Sequence, residues 1–116
     1  MSNNIETEEL MSFYDRLIEN VKQITLTASE QIDKLKGFAV ADEIASDFSD
    51  IAKPYAVKLF ENGWLSDEQL DIVNNIDEQL EQMSSNKELW SDEALTKSIE
   101  WQQCRERAKE LLKLLS

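Results

Sequence analysis

Histidine is absent from the 116-residue chain, cysteine and proline occur once each, and glycine occurs twice. Without histidine, the commonest general acid–base group and metal ligand is missing. The lone Cys104 permits no internal disulfide, and its neighbours Trp101, Arg105 and Ala108 suit a small, partly buried residue better than a nucleophile, which needs an adjacent base. So little glycine and proline leaves few places for β-turns. No apolar run approaches the ~18 residues that a membrane-spanning helix needs. The first residues, Met1 to Glu9, are polar and acidic, opposite in character to a signal peptide. These absences predict one domain over residues 1–116 that stays in the cytoplasm and off membranes.

What the chain has in excess is acid, and the excess is unevenly placed. Residues 1–36 hold seven acidic and four basic side chains, residues 37–83 eleven and two, and residues 84–116 six of each. A field of one sign concentrated in the middle of a chain raises encounter rates with partners of the opposite sign. Combined with the missing histidine, this favours a binding protein over an enzyme and requires no cofactor or metal.

Apolar residues recur at intervals of three and four and do not alternate, which predicts an all-α fold, a single-domain antiparallel bundle of about five to six helices. A first helix is expected from about Ile5 to Ile24, capped by Asn4, with Leu10, Tyr14, Leu17, Ile18, Val21 and Ile24 inward. Thr27 and Glu30 have capping-box spacing, so a second helix starts at Ala28, or the first continues through; Ile32 and Leu35 face in and Gly37 ends it. Ala41, Ile44, Ala45, Phe48 and Ile51 mark a third helix, and Pro54 fits the first turn of a fourth. That one ends at Gly63, with Trp64 placed for the apolar contact of a glycine cap. Ser66 and Gln69 form the clearest capping box, opening a helix through about Met83 that buries Leu70, Val73, Ile76, Leu80 and Met83. After a loop at 84–86, Ser91 starts a short turn and Ser98 restarts the chain into a last helix. Its stripe is Trp101, Cys104, Arg105, Ala108, Leu111, Leu112 and Leu115, and its apolar tail is expected to be clamped between other helices.

Several chemistries lack their required residues. Helical di-iron sites need a Glu-x-x-His pair, calcium loops need alternating Asp or Asn with a central glycine, and nucleotide sites need a glycine-rich turn. A net charge of −12 opposes contact with phosphate backbones. Arg105, Arg107, Lys109 and Lys113 alternate with Glu106 and Glu110 in the manner of a solvated helix face. Many carboxylate pairs have a structural explanation: Asp67-Glu68 and Asp92-Glu93 follow caps, where negative charge complements the helix dipole.

The central acidic helix is different. Asp67 and Asp71 share a face, as do Asp77 and Glu81, and no basic residue between Asp67 and Met83 offsets their repulsion. Stability alone does not select that arrangement. Glu43, Asp47 and Asp50 form a second ridge on the third helix. The expected partner contacts are therefore Asp67, Asp71, Asp77, Glu78 and Glu81, then Glu43, Asp47 and Asp50. Trp64 is expected either as an aromatic anchor or as a buried cap contact.

From Lys53 to Leu115 the chain resembles small helical immunity proteins encoded beside bacterial contact-dependent inhibition and Rhs-type toxins. The residues that carry the resemblance are Gly63-Trp64-Leu65-Ser66, Leu89-Trp90, Ala94-Leu95, Trp101, Arg105, Ala108 and Leu111-Leu112. The resemblance implies an acidic cytoplasmic protein, without catalysis, that binds a cognate toxin domain, often a basic nuclease, and covers its active site or nucleic-acid groove. Two alternatives stand beside it: an acidic nucleic-acid mimic that blocks a host defence or restriction protein, and a helical adaptor that binds through apolar faces.

Overall fold

The structure, a computed structural model, describes residues 6–115. Regular structure among them is entirely helical: α1 (Thr7–Thr25), α2 (Ala28–Lys34), α3 (Val40–Asp47), a π turn (Phe48–Ala52), α4 (Lys53–Glu61), α5 (Asp67–Met83), a 3-10 turn (Lys87–Trp90), α6 (Asp92–Lys97) and α7 (Ile99–Leu115). Because α3, the π turn and α4 run on as one rod, the fold is an all-α bundle of six α-helical rods. The cap expected at Asn4 lies outside the described residues.

Local capping chemistry sets most of the helix starts. Thr27 with Glu30, and Ser66 with Gln69, close complete capping boxes, each side chain bonding the other residue's backbone N–H. In the first box the backbone N–H and hydroxyl of Thr27 stabilise the ionised Glu30 and hold its pKa below the ordinary glutamate value. The hydroxyls of Ser91 and Ser98 accept from the backbone N–H groups of Ala94 and Trp101 and start α6 and α7. At the other end of α4, Gly63 adopts a φ of +79°, and the N–H groups of Gly63 and Trp64 return to the carbonyls of Phe60 and Leu59 at 3.0 and 2.8 Å. That is a Schellman cap, for which the left-handed backbone of glycine is suited.

Pro54 stands in the first turn of α4, as the sequence suggests, but the chain does not break before it. A proline inside an α-helix removes one i→i−4 bond and presses its ring on the preceding turn. Here the turn ahead of it is widened: the N–H of Lys53 bonds the carbonyl of Phe48, five residues back. The π geometry absorbs the proline without ending the rod. It also shifts the helical phase, so the buried positions run Val40, Ala41, Ile44, Phe48, Ala52, Ala56 and Leu59.

The four long rods form an up-down-up-down bundle. α1 packs against α7 and α4, and α5 packs against the same two neighbours. Arg105 of α7 reaches Leu26 just beyond the end of α1, whereas Leu115 lies at Tyr14, so those helices are antiparallel. Likewise Gln79 of α5 meets Gln103 of α7, and Gln69 meets Leu114. The short α2 and α6 pack on each other at the end where α1 finishes. Between the rods lies one core whose largest fully buried side chains include Trp101, Phe48, Leu17 and Ile24.

Arg105 is buried at that closed end, with only 5% of its surface exposed, and Gln31 beside it retains 1%. Its Nε donates to the Leu26 carbonyl at 3.2 Å, and Nη2 donates to Gln31 Oε1 at 3.1 Å and to the Leu95 carbonyl at 2.6 Å. Gln31 Nε2 in turn donates to the carbonyls of Gln23 and Ile24. Burial pushes the Arg105 pKa down from its ordinary value, but a guanidinium stays charged in proteins. Its charge therefore sits at the C-terminal ends of α1 and α6, where the helix dipoles are negative. The sequence reading counted Arg105 in the buried stripe and also on the solvated charged face; the first placement is the one observed.

Arg105→Ala leaves three acceptors, two of them in buried contacts, without this donor and is expected to lower the unfolding free energy by about 3 kcal/mol. Arg105→Lys should recover only part of that loss, because an ammonium lacks the guanidinium's fork of donors. Urea denaturation followed by far-UV circular dichroism measures both.

Cys104 is fully buried next to Arg105, 4.0 Å from the sulfur of Met83. Burial pushes its thiol up to about 11, despite the opposing pull of Arg107 and Arg105. The folded thiol thus holds its proton more tightly than the unfolded one. Its contribution to stability is complete below the ordinary thiol value of 9.0 and is lost as pH climbs toward about 11. Across that window the melting temperature of the wild type should fall more steeply than that of Cys104→Ala, and at pH 8 a disulfide reagent should label the folded thiol far more slowly than the urea-unfolded one.

Candidate partner-binding groove

An open groove of about 610 Å³ runs between the long rod and α5. One wall is Asp42, Ala45, Ser46 and Ser49, at i, i+3, i+4 and i+7 on α3 and the π turn, followed by Asp50. The facing wall repeats that spacing on α5 and just beyond its end with Asp77, Leu80, Glu81 and Ser84. Residues so spaced lie on one helix face, so two strips look at each other across the gap. Lys87 and Trp90 close the end nearest the 3-10 turn.

The gap widens because the rod does not follow α5 over its whole length. α4 packs closely on α5, the π turn touches it less, and α3 turns toward α1 and α6. Where the walls meet, Asp77 ties them together: Ser49 Oγ donates to Asp77 Oδ1 at 3.0 Å, and Lys53 Nζ lies 3.4 Å from Asp77 Oδ2. Beyond this tie the walls between the carboxylates are small or apolar, with Ala45, Ser46, Leu80 and Ser84. Trp90 is half-buried, donating its indole N–H to the Met83 carbonyl at 2.9 Å and packing edge-on against Trp101 with ring centres 5.5 Å apart. Both contacts hold it rigidly at the groove's end.

The expected contact residues separate into distinct places. Asp50, Asp77 and Glu81 come together in the groove. Glu78 turns toward α7 and lines a polar notch with Gln79, Gln103 and Arg107. Asp47 faces α1, near Arg16 and Lys34. Glu43 follows Asp42 by one residue, about 100° around the helix, and is half-buried off the groove wall. Asp67 and Asp71 are exposed near the start of α5, Asp67 about 15 Å along the axis from Asp77. Trp64 is half-buried, caps α4 through its backbone, and sits 6.3 Å from the ring of Tyr14.

Sequence reasoning did not count Asp42, Ser46, Ser49, Lys87 or Trp90 among the contact residues. The available signal was the strip Asp42, Ala45, Ser46, Ser49, whose residues are too small and polar for a core face yet occupy one side of a helix. Among the described residues, no ion pair forms at Asp42, Asp50 or Glu81, and no group of His, Cys, Asp and Glu is arranged to hold a metal ion. No described helix is long and apolar enough to cross a membrane. The groove offers fixed negative charge, small hydrogen-bonding hydroxyls and one aromatic surface, a set suited to receiving cationic groups. No protein-family model, curated protein or solved structure matches this chain.

The carboxylates should divide by role when removed singly. Asp77→Ala breaks the Ser49 and Lys53 contacts and should lower stability by about 1 kcal/mol, as expected for a partly exposed pair. Asp71→Asn and Glu81→Gln each remove one member of a like-charge i,i+4 pair and should leave stability within about 0.5 kcal/mol or raise it. Urea melts at low and at high sodium chloride check this, since salt should shrink the gain.

Proposed function

We propose that this protein works by binding: it is an immunity-type inhibitor that neutralises a basic protein partner, a toxin domain of the nuclease kind, through its acidic groove and the carboxylates around it. The observation that carries the reading is the groove between facing helix strips where, among the described residues, Asp42, Asp50 and Glu81 form no ion pair. Like charges gathered on a preformed surface cost stability within the chain and become favourable only when a cationic partner covers them. Such a field speeds association, and the surface around it supplies register and specificity.

Catalysis is not part of the proposal. The groove's one hydroxyl in contact with a carboxylate, Ser49, donates to Asp77, and Asp77 is already neutralised by Lys53. The protein would act in the cytoplasm, where its partner's substrate is, by covering the surface that partner uses to hold phosphates. Nucleic acid and anionic membranes are not proposed as ligands, because both carry the charge of the groove.

Capture from native lysate with the tagged full chain, washed at low and at high salt, tests the reading. A basic, toxin-like protein retained at low salt and lost at high salt is the expected result, and co-expression with it should relieve its toxicity. Retention of a host nucleic-acid enzyme would replace the inhibitor reading with that of a nucleic-acid mimic. A partner insensitive to salt would point to an adaptor using apolar faces and overturn the role of charge.

A further inference from the structure

We infer that the widened turn Phe48–Ala52 is a hinge on which α3 rocks, and that Asp77 is the clasp that holds it at one setting; this goes beyond the binding reading and stands whatever covers the groove. The turn is the rod's weak point in backbone terms. The N–H of Lys53 reaches the Phe48 carbonyl, five residues back, and the next residue, Pro54, has no N–H to give. The helix ahead of it, α3, is eight residues long, starts at Ala39 without a side-chain cap, and follows Gly37 at a φ of +94°. A short helix between a glycine turn and a widened turn has a yielding backbone at both ends.

Core packing holds α3 on one side only. Val40, Ala41 and Ile44 are buried, and the helix packs toward α1 and α6. Toward α5 the joining is polar: among the described residues, the two contacts that Asp77 accepts are the only hydrogen bonds or ion pairs between the rod and α5. Ser49 Oγ takes one carboxylate oxygen at 3.0 Å and Lys53 Nζ takes the other at 3.4 Å. These donors stand four residues apart, Ser49 just inside the widened turn and Lys53 just past its end. One carboxylate therefore grips both ends of the turn, at the point where the close packing of α4 on α5 gives way to the splay of α3. Both side chains of the ion pair are partly exposed, so the clasp is modest in strength and lets go locally while the core stays packed.

Native-state amide hydrogen exchange of the full chain, followed by NMR, tests this. In the wild type the amides of Ala52 and Lys53 should exchange faster than those of Leu17 and Leu111, because local opening costs less than global unfolding. Asp77→Ala should speed the turn amides roughly fivefold, the worth of a partly exposed ion pair with its hydrogen bond. Asp77→Asn, whose amide oxygen still accepts from Ser49, and Lys53→Met, which frees one end, should each fall between. Gln79→Ala is the control: it removes hydrogen bonds between α5 and α7, and should speed Leu17 and Leu111 while leaving the turn amides unchanged. Residual dipolar couplings of α3 should shrink in Asp77→Ala, the mark of added motion, and hold their size in Gln79→Ala. Circular dichroism confirms that each variant folds, and if Asp77→Ala does not, the two milder variants carry the comparison. Turn amides as slow as the core ones in the wild type, or α3 couplings that do not change, would overturn the hinge. Turn amides unmoved by Asp77→Ala, or moved equally by Gln79→Ala, would overturn the clasp.

Discussion

The fold depends on how the chain satisfies the carbonyls at the ends of its helices. The last turn of a helix leaves carbonyls without intrahelical donors, and a glycine cap is the usual local remedy. With two glycines in the whole chain, only α4 has a complete cap of that kind. Elsewhere local hydroxyls serve some carbonyls, Thr25 at the end of α1 and Ser84 and Ser85 at the end of α5, and side chains from other elements serve others. Arg105 and Gln31 serve the ends of α1 and α6, Trp90 serves Met83 at the end of α5, Trp101 serves Leu89 in the 3-10 turn, and Gln69 and Tyr14 serve Leu114 and Leu115 at the end of α7. Each of these latter bonds joins an element's end to a side chain of another element, so the contacts that finish the helices also help to assemble the bundle. Arg105 is the largest case, a buried cation with no carboxylate partner among the described residues, stabilised by carbonyl dipoles and one amide.

This arrangement frees carboxylates from structural duty. A buried arginine commonly needs an acidic partner, yet here the charge is met by backbone, and 24 acidic residues remain for the surface and the helix starts. Those following Ser66 and Ser91 complement helix dipoles. In the groove only Asp77 is tied into the scaffold, through Ser49 and Lys53. Asp42, Asp50 and Glu81 stay available, and it is their availability, more than the number of acids in the chain, that gives the surface a use.

Pro54 and the π turn connect the scaffold to that surface. A regular α-helix from Val40 to Glu61 would carry one phase along α5; the extra residue in the turn re-aims the α3 half and puts Ser49 and Asp50 on the groove wall. Such single-turn widenings recur where helices carry functional side chains. The physical sense here is that a local backbone adjustment, required to hold a proline inside a rod, also opens a cleft between two packed helices without unravelling either.

What the sequence by itself determined is what depends on neighbours along the chain. Periodicity decided that the protein is helical and which stripe of each helix is buried: all seven residues expected on α7 face inward or partly inward. Capping chemistry at Thr27, Ser66, Ser91 and Ser98 decided where helices begin, because a cap is a bond between residues three apart. Tertiary structure decided the rest. Gln31 had no part in the sequence reading, and only the fold brings Arg105, 74 residues away, against it. Pro54 reads as a helix start until packing on both sides holds the rod together and the π turn takes up the strain. Of the two acidic ridges legible in the sequence, only Asp50, Asp77 and Glu81 share the groove, joined by Asp42 from outside them. A helix places consecutive acids about 100° apart, and which of those directions meets another helix is set by the rotation and splay of packed rods.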